Sequence, residues 1–97
     1  MAFVQLIDFK ASDIDAFRKA GEEWERATEG KRTARRRLVC RDRSEPGRYV
    51  MLVFFDSYES AMVNSELPET QAIAKEFAEL ADGPPAFRDL DIVDDMT

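Results

Sequence analysis

Residues Arg48–Phe55 read Arg-Tyr-Val-Met-Leu-Val-Phe-Phe, and this stretch decides the fold. It is rich in β-branched and aromatic residues, has the length of one strand, and follows a Pro46-Gly47 turn. Alternation sends Tyr49, Met51, Val53 and Phe55 to one face and Val50, Leu52 and Phe54 to the other. Both faces are apolar, so both must be covered. The rest of the 97-residue chain supplies helices enough for one side of a small sheet. The second side is therefore expected to meet another subunit.

Before this strand, Phe3–Lys10 alternates as a first strand, with Phe3, Gln5, Ile7 and Phe9 on one face and Val4 and Leu6 on the other. Ser12, with Asp15 three residues on, is placed as the N-cap of a helix. Ile14, Phe17, Gly21 and Trp24 form its apolar stripe, and Gly30 is expected just past its end. Thr33–Arg43 reads as the second strand, with Leu38 and Cys40 on one face and Val39 on the other. Ser44-Glu45-Pro46-Gly47 then turns into Arg48–Phe55.

After it, Asp56 or Ser57 caps a short helix carrying Tyr58, Ala61 and Met62, which Asn64-Ser65-Glu66 is expected to interrupt. Pro68 suits the first turn of a further helix with Ile73, Phe77 and Leu80 as its buried stripe. Asp82-Gly83-Pro84-Pro85 stops it, and Phe87–Val93 is the last strand. The order is β-α-β-β-α-β with the second helical region split. That is a ferredoxin-like α+β pattern: an antiparallel sheet with helices on one face, in a single domain over residues 1–97. Two bare sheet faces can pack across a two-fold axis as a dimeric α+β barrel.

Composition narrows the chemistry. The chain contains no histidine, which excludes Ser-His-Asp and Cys-His catalysis and removes the usual haem and zinc ligand. No compact acidic cluster has metal-ligand spacing, so no metal is expected. Cys40 is the single cysteine, which precludes an internal disulfide and favours a cytoplasmic protein; it reads as a small buried strand residue. No apolar run reaches the ~20 residues of a membrane span, and the N-terminal residues lack a basic signal-peptide region. Net charge is −6, yet residues 31–48 hold eight basic and two acidic side chains. The acidic remainder repels phosphate, and no aromatic residues interleave with Arg35, Arg36 and Arg37. A solvated or ion-paired strand is the expected reading, and no nucleic-acid partner is expected.

From Tyr49 to Val93 the sequence resembles the antibiotic biosynthesis monooxygenase-like proteins of the dimeric α+β barrel group. The resemblance is carried by the apolar strand ending in Phe55, by Asp56-Ser57-Tyr58-Glu59-Ser60-Ala61-Met62, and by Asn64-Ser65-Glu66-Leu67-Pro68-Glu69-Thr70. The Phe77…Leu80 helix and Gly83-Pro84-Pro85 complete it. The chain departs from many relatives at Val53, where they carry Glu, and near Asn64, where they carry His. The resemblance therefore implies not histidine-ligated haem degradation but the cofactor-independent oxygenase type, acting on an aromatic or polyketide-like molecule. In that type the pocket lies between sheet and helices, lined by Trp, Tyr, Asn and Arg. The substrate's own phenolate carries the reactive electrons, so the protein holds the substrate, favours its anion and excludes water.

Asn64 and Tyr58 are the candidate catalytic residues, an amide and a phenol able to donate to a substrate oxygen. Trp24, Tyr49 and Arg37 are the candidate binding residues: two rings to stack a planar ligand and one cation to hold an anion. The competing roles are a helix cap for Asn64, core packing for Trp24 and the tyrosines, and an intersubunit salt bridge for Arg37. Met51, Met62 and the phenylalanines read as core. A non-catalytic dimeric domain that binds a small molecule is the alternative function.

Overall fold

The computed structural model describes residues 2–97. Its elements run β1 (Phe3–Lys10), α1 (Ile14–Ala27), β2 (Arg36–Arg41), β3 (Arg48–Phe55), α2 (Tyr58–Glu66), α3 (Pro68–Leu80) and β4 (Ala86–Asp91). The four strands form one antiparallel sheet in the order β2-β3-β1-β4. This is the ferredoxin-like α+β arrangement read from the sequence.

The apolar β3 strand takes an interior position, between β2 and β1. Its burial alternates as the sequence requires: Tyr49, Met51, Val53 and Phe55 are buried, and Val50, Leu52 and Phe54 are half-buried. Register places Phe3 opposite Phe55 and Phe9 opposite Tyr49, so these side chains share the covered face. On the other face Leu6, Leu52 and Leu38 line up across β1, β3 and β2, flanked by Val4 with Phe54 and by Val50.

An aromatic column joins the layers. Tyr49 stacks on Phe9 at 5.7 Å between ring centroids, Phe9 on Phe17 of α1 at 4.3 Å, and Phe17 on Phe77 of α3 at 4.1 Å. Four elements are thus tied through one line of rings.

Several boundaries differ from the sequence reading for local reasons. The N-cap of α1 is Asp13, not Ser12, because the Asp13 carboxylate accepts the Ala16 amide at 3.1 Å and its carbonyl accepts Phe17. The C-cap is Thr28, so Gly30, with φ +81, lies two residues past it. Strand β2 starts at Arg36 rather than Thr33, since Thr33 is bonded to α2 rather than to the sheet. Strand β4 is shifted to Ala86–Asp91. Asn64-Ser65-Glu66 does not interrupt α2; those residues complete it, and the break falls at Leu67, which caps both helices in an extended conformation. Ser57 is the α2 cap, in a reciprocal box with Ser60.

The stripe of α3 is a larger correction. None of Ile73, Phe77 and Leu80 is fully buried: all three are half-buried, Phe77 and Leu80 pack against the core, and α3 lies against α1 and α2. Met62, Phe87 and Cys40 are exposed rather than core. Met62 lies on the outer side of α2, whose apolar residues show almost no sidedness. Cys40 pairs with Val50, on the sheet face opposite the one that carries Tyr49, Met51 and Val53.

Candidate functional site

Because α3 stands off the sheet, a cavity of about 370 Å³ opens between them. Its floor is the covered sheet face, including Gln5, Ile7, Met51 and Val53; its roof is α3, with Thr70, Ile73, Ala74 and Phe77. Alternation on the strands and helical spacing on α1 deliver these side chains to one space. The lining is overwhelmingly apolar, and Arg37 is its only charged member among the described residues.

Three of the five candidate residues meet here: Trp24, Arg37 and Asn64. Trp24, 8% exposed, forms part of the α1 wall, and its indole Nε1 donates to Thr70 Oγ1 at 3.0 Å. Buried Thr28 donates to the Trp24 carbonyl at 2.6 Å, and the Arg32 guanidinium sits over the indole at 5.9 Å. The ring is therefore held at its Nε1 edge by Thr70 and on one face by Arg32.

Asn64, 5% exposed, comes from the last turns of α2. Its Oδ1 accepts the Thr33 amide at 3.2 Å, a backbone donor that sets the orientation of the side-chain amide. Thr33 Oγ1 also donates to the Ser60 carbonyl, so the segment before β2 is sewn to α2. With Oδ1 engaged, Nδ2 makes no hydrogen bond among the described residues, and Asn64 lines the cavity. The residue thus ties the loop through its oxygen and keeps two N–H donors free.

Arg37 projects from β2 on the covered face, with a side chain 15% exposed. Glu25 Oε1 on α1 accepts from its Nη2 at 2.9 Å and its Nε at 3.3 Å.

Tyr58 and Tyr49 do not join them. Tyr58 is 47% exposed and packs edge-on against Phe3 at 5.5 Å, outside the cavity lining. The ring of Tyr49 is buried in the aromatic column, and it faces a separate cleft of about 310 Å³ with Ile14, Val39 and Arg41. Its strand face was predicted correctly, but its end of β3 lies beyond the cavity. Two residues escaped the sequence reading. Gly21, read only as part of a stripe, is where Arg37 comes against α1. Thr70 holds the Trp24 indole. The sequence signal for the first was a glycine on an otherwise bulky buried stripe.

Ionisable groups with displaced pKa values lie elsewhere. Hydrogen bonding to Arg35 lowers Asp56, and hydrogen bonding to Lys31 lowers Glu69. Neither carboxylate lines the cavity. Four of the eight basic residues of the 31–48 stretch are ion-paired: Lys31 with Glu69 at 2.6 Å, Arg35 with Asp56 at 2.6 Å, Arg48 with Asp8 at 2.8 Å, and Arg37 with Glu25. No group of metal-ligating side chains occurs among the described residues, and no helix among them is long and apolar enough to cross a membrane.

No family model matches the chain, and no curated protein matches it. Solved structures do. SnoaB, a cofactor-independent oxygenase from Streptomyces nogalater solved as an asparagine-to-alanine mutant, aligns with a TM-score of 0.82 at 10% identity, over 98% of this chain and 96% of that one. A protein from Caulobacter crescentus CB15, provisionally named an antibiotic biosynthesis monooxygenase, aligns with a TM-score of 0.79 at 17% identity, over 96% and 91%. Rv0793 from Mycobacterium tuberculosis aligns with a TM-score of 0.78 at 16% identity over the whole of both chains. At these identities the likeness is one of fold, and it covers the full length of the chain.

Proposed function

We propose that residues 1–97 form one cytoplasmic domain that works as a homodimer and acts as a cofactor-independent monooxygenase on an aromatic or polyketide-like small molecule. The observation that carries this reading is the cavity itself. It is apolar, bounded by a fixed tryptophan, and supplied with an unspent amide donor at Asn64. Such a space fits a flat molecule, shields it from water, and offers Nδ2 to one of its oxygens. In this chemistry the reactive electrons come from the substrate anion, so the chain needs to bind, orient and stabilise rather than to supply a redox group. The fold likeness to SnoaB, described as a cofactor-independent oxygenase, adds support of the same kind.

A specific observation favours the second reading, a non-catalytic small-molecule-binding domain. No carboxylate or other general base lines the cavity among the described residues. The two readings separate on one probe, the anthrone dithranol. Binding can be followed through the indole NMR resonance of Trp24, the only tryptophan in the chain. Oxygen uptake reports turnover. Binding with uptake above the spontaneous rate is the expected result. Binding without uptake leaves the binding domain, and neither response removes both for this ligand class.

Asn64 is then resolved by two substitutions. Asn64→Ala removes both the Thr33 acceptor and the cavity donor. Asn64→Asp keeps an acceptor for Thr33 and gives up the donor. If the Nδ2 donor matters, both variants lose turnover, and Asn64→Asp, which sets a carboxylate at a buried position, also melts below wild type. If only the loop tie matters, Asn64→Asp retains activity.

A further inference from the structure

The seat of Arg37 has three sides. On one, Glu25 Oε1 takes Nε and Nη2, the side-on edge of the guanidinium. On another, Nη1 has only the Met51 sulfur at 3.9 Å, a weak acceptor. The third is Gly21. A Cβ at this helical glycine would lie 2.7 Å from Nη2 and 2.8 Å from both Cζ and Nη1. Three nearly equal distances mean that the guanidinium lies flat against α1, over the position where any other residue would carry a side chain. Held this way, its end-on edge, Nη1 with the second hydrogen of Nη2, has no oxygen acceptor among the described residues.

The charge is also unevenly screened. The Glu25 carboxylate is 45% exposed and shared with water, whereas the Arg37 side chain is 15% exposed and lines an apolar space. A planar guanidinium with a free edge is the group best matched to a planar anionic oxygen pair or a single anionic oxygen. We infer that the cavity selects ligands that carry an acidic group, anchored on the free edge of Arg37, and that Gly21 determines this specificity by making room for the guanidinium. The inference rests on reading the cavity as a ligand site, and it narrows the substrate class to flat apolar molecules bearing a carboxylate or an acidic phenol. Glu25 is the positioning residue: it orients Arg37 and competes for its charge.

The test uses β-naphthoate and β-naphthamide, which share a ring system and differ in charge. Each is titrated into the intact protein while the Trp24 indole resonance is followed. The anion is expected to bind at least ~10-fold more tightly, a difference of ~1.4 kcal/mol. Arg37→Gln should bring the two within about twofold by removing the charge-assisted bonds. Glu25→Gln, at a half-exposed position, should tighten naphthoate and leave naphthamide unchanged, which a purely structural role for the pair does not produce. Gly21→Ala should stay folded, because the atoms it meets are the end of a flexible side chain, and should lose most of the anion preference. Equal binding of the two probes, or a preference that survives Arg37→Gln, overturns the inference and leaves the cavity a ligand site. Failure of both probes to move the resonance at millimolar concentration overturns the inference together with the reading beneath it.

Discussion

At the scale of single residues, the side chains that matter most are those with two duties. Asn64 binds a loop with one atom and faces the cavity with another. Tyr58 has no such second face: its ring rests on Phe3 and it is half-exposed. Tyr58→Phe is therefore expected to leave both melting temperature and ligand binding unchanged, within the ~0.5 kcal/mol typical of surface changes. Loss of binding in that variant would bring Tyr58 back to the site. Trp24→Phe should cost about 1 kcal/mol through the lost bond to Thr70, read as a lower urea midpoint. The position of Trp24 was legible because helical spacing puts it on the apolar stripe of α1; for Arg37 alternation gave the face shared with Val39 but left open whether that face turns inward. Tyr49 was not legible, because alternation gives the face and says nothing of how far along the strand the cavity extends. Gly21 was hidden for a different reason: its meaning lies in a residue on another element, and no local pattern records it.

At the scale of elements, α3 is the least anchored. No residue of it is buried, and it is held by Phe77 on Phe17, by Thr70 on Trp24, and by Glu69 on Lys31. The amides of α3 should exchange with deuterium well before those of α1, whose stripe of Phe17, Ala20, Gly21 and Trp24 is buried. Phe77→Ala should widen that gap and lower stability by less than the ~3–5 kcal/mol of a fully buried phenylalanine. Equal exchange in the two helices would contradict this picture. The Lys31 tie has a predictable pH dependence. Hydrogen bonding to Lys31 holds the folded-state pKa of Glu69 below its ordinary value. Its stabilising contribution is thus present above the unfolded value and is lost as pH falls through the folded one. Wild type and Glu69→Gln should differ slightly in melting temperature at neutral pH and converge at about pH 3. The sequence revealed that α3 is a helix and which side of it is apolar. It could not reveal that the space beneath is open, because a period of apolar residues describes the surface of a helix and not what that surface meets.

At the scale of the whole molecule, the uncovered sheet face is the dominant fact. Leu6, Leu38 and Leu52 form its central row, and among the described residues the buried side chains of the helices pack against the opposite face. Burial of this face by a second copy is expected to remove more than roughly 1,200 Å² in total. Light scattering at micromolar concentration should report about twice the 11.1 kDa chain mass, and Leu52→Lys should yield a monomer or an aggregate. A monodisperse wild-type monomer would refute the sheet-to-sheet pairing. This face was the most legible property of the sequence, since a strand apolar on both sides in so short a chain leaves few alternatives.

The column Tyr49–Phe9–Phe17–Phe77 has a bearing on how such a molecule can change over generations. It gathers much of the cohesion between layers into one line of rings, leaving other cavity positions such as Gln5, Gln71 and Phe87 outside the buried core. Variation at those positions alters the shape offered to a ligand while sparing the contacts that keep the layers together. A scaffold divided in this way can acquire a new ligand before it must acquire a compensating stabiliser. Its lineage can therefore drift in sequence, and in what it binds, while the fold stays where it was.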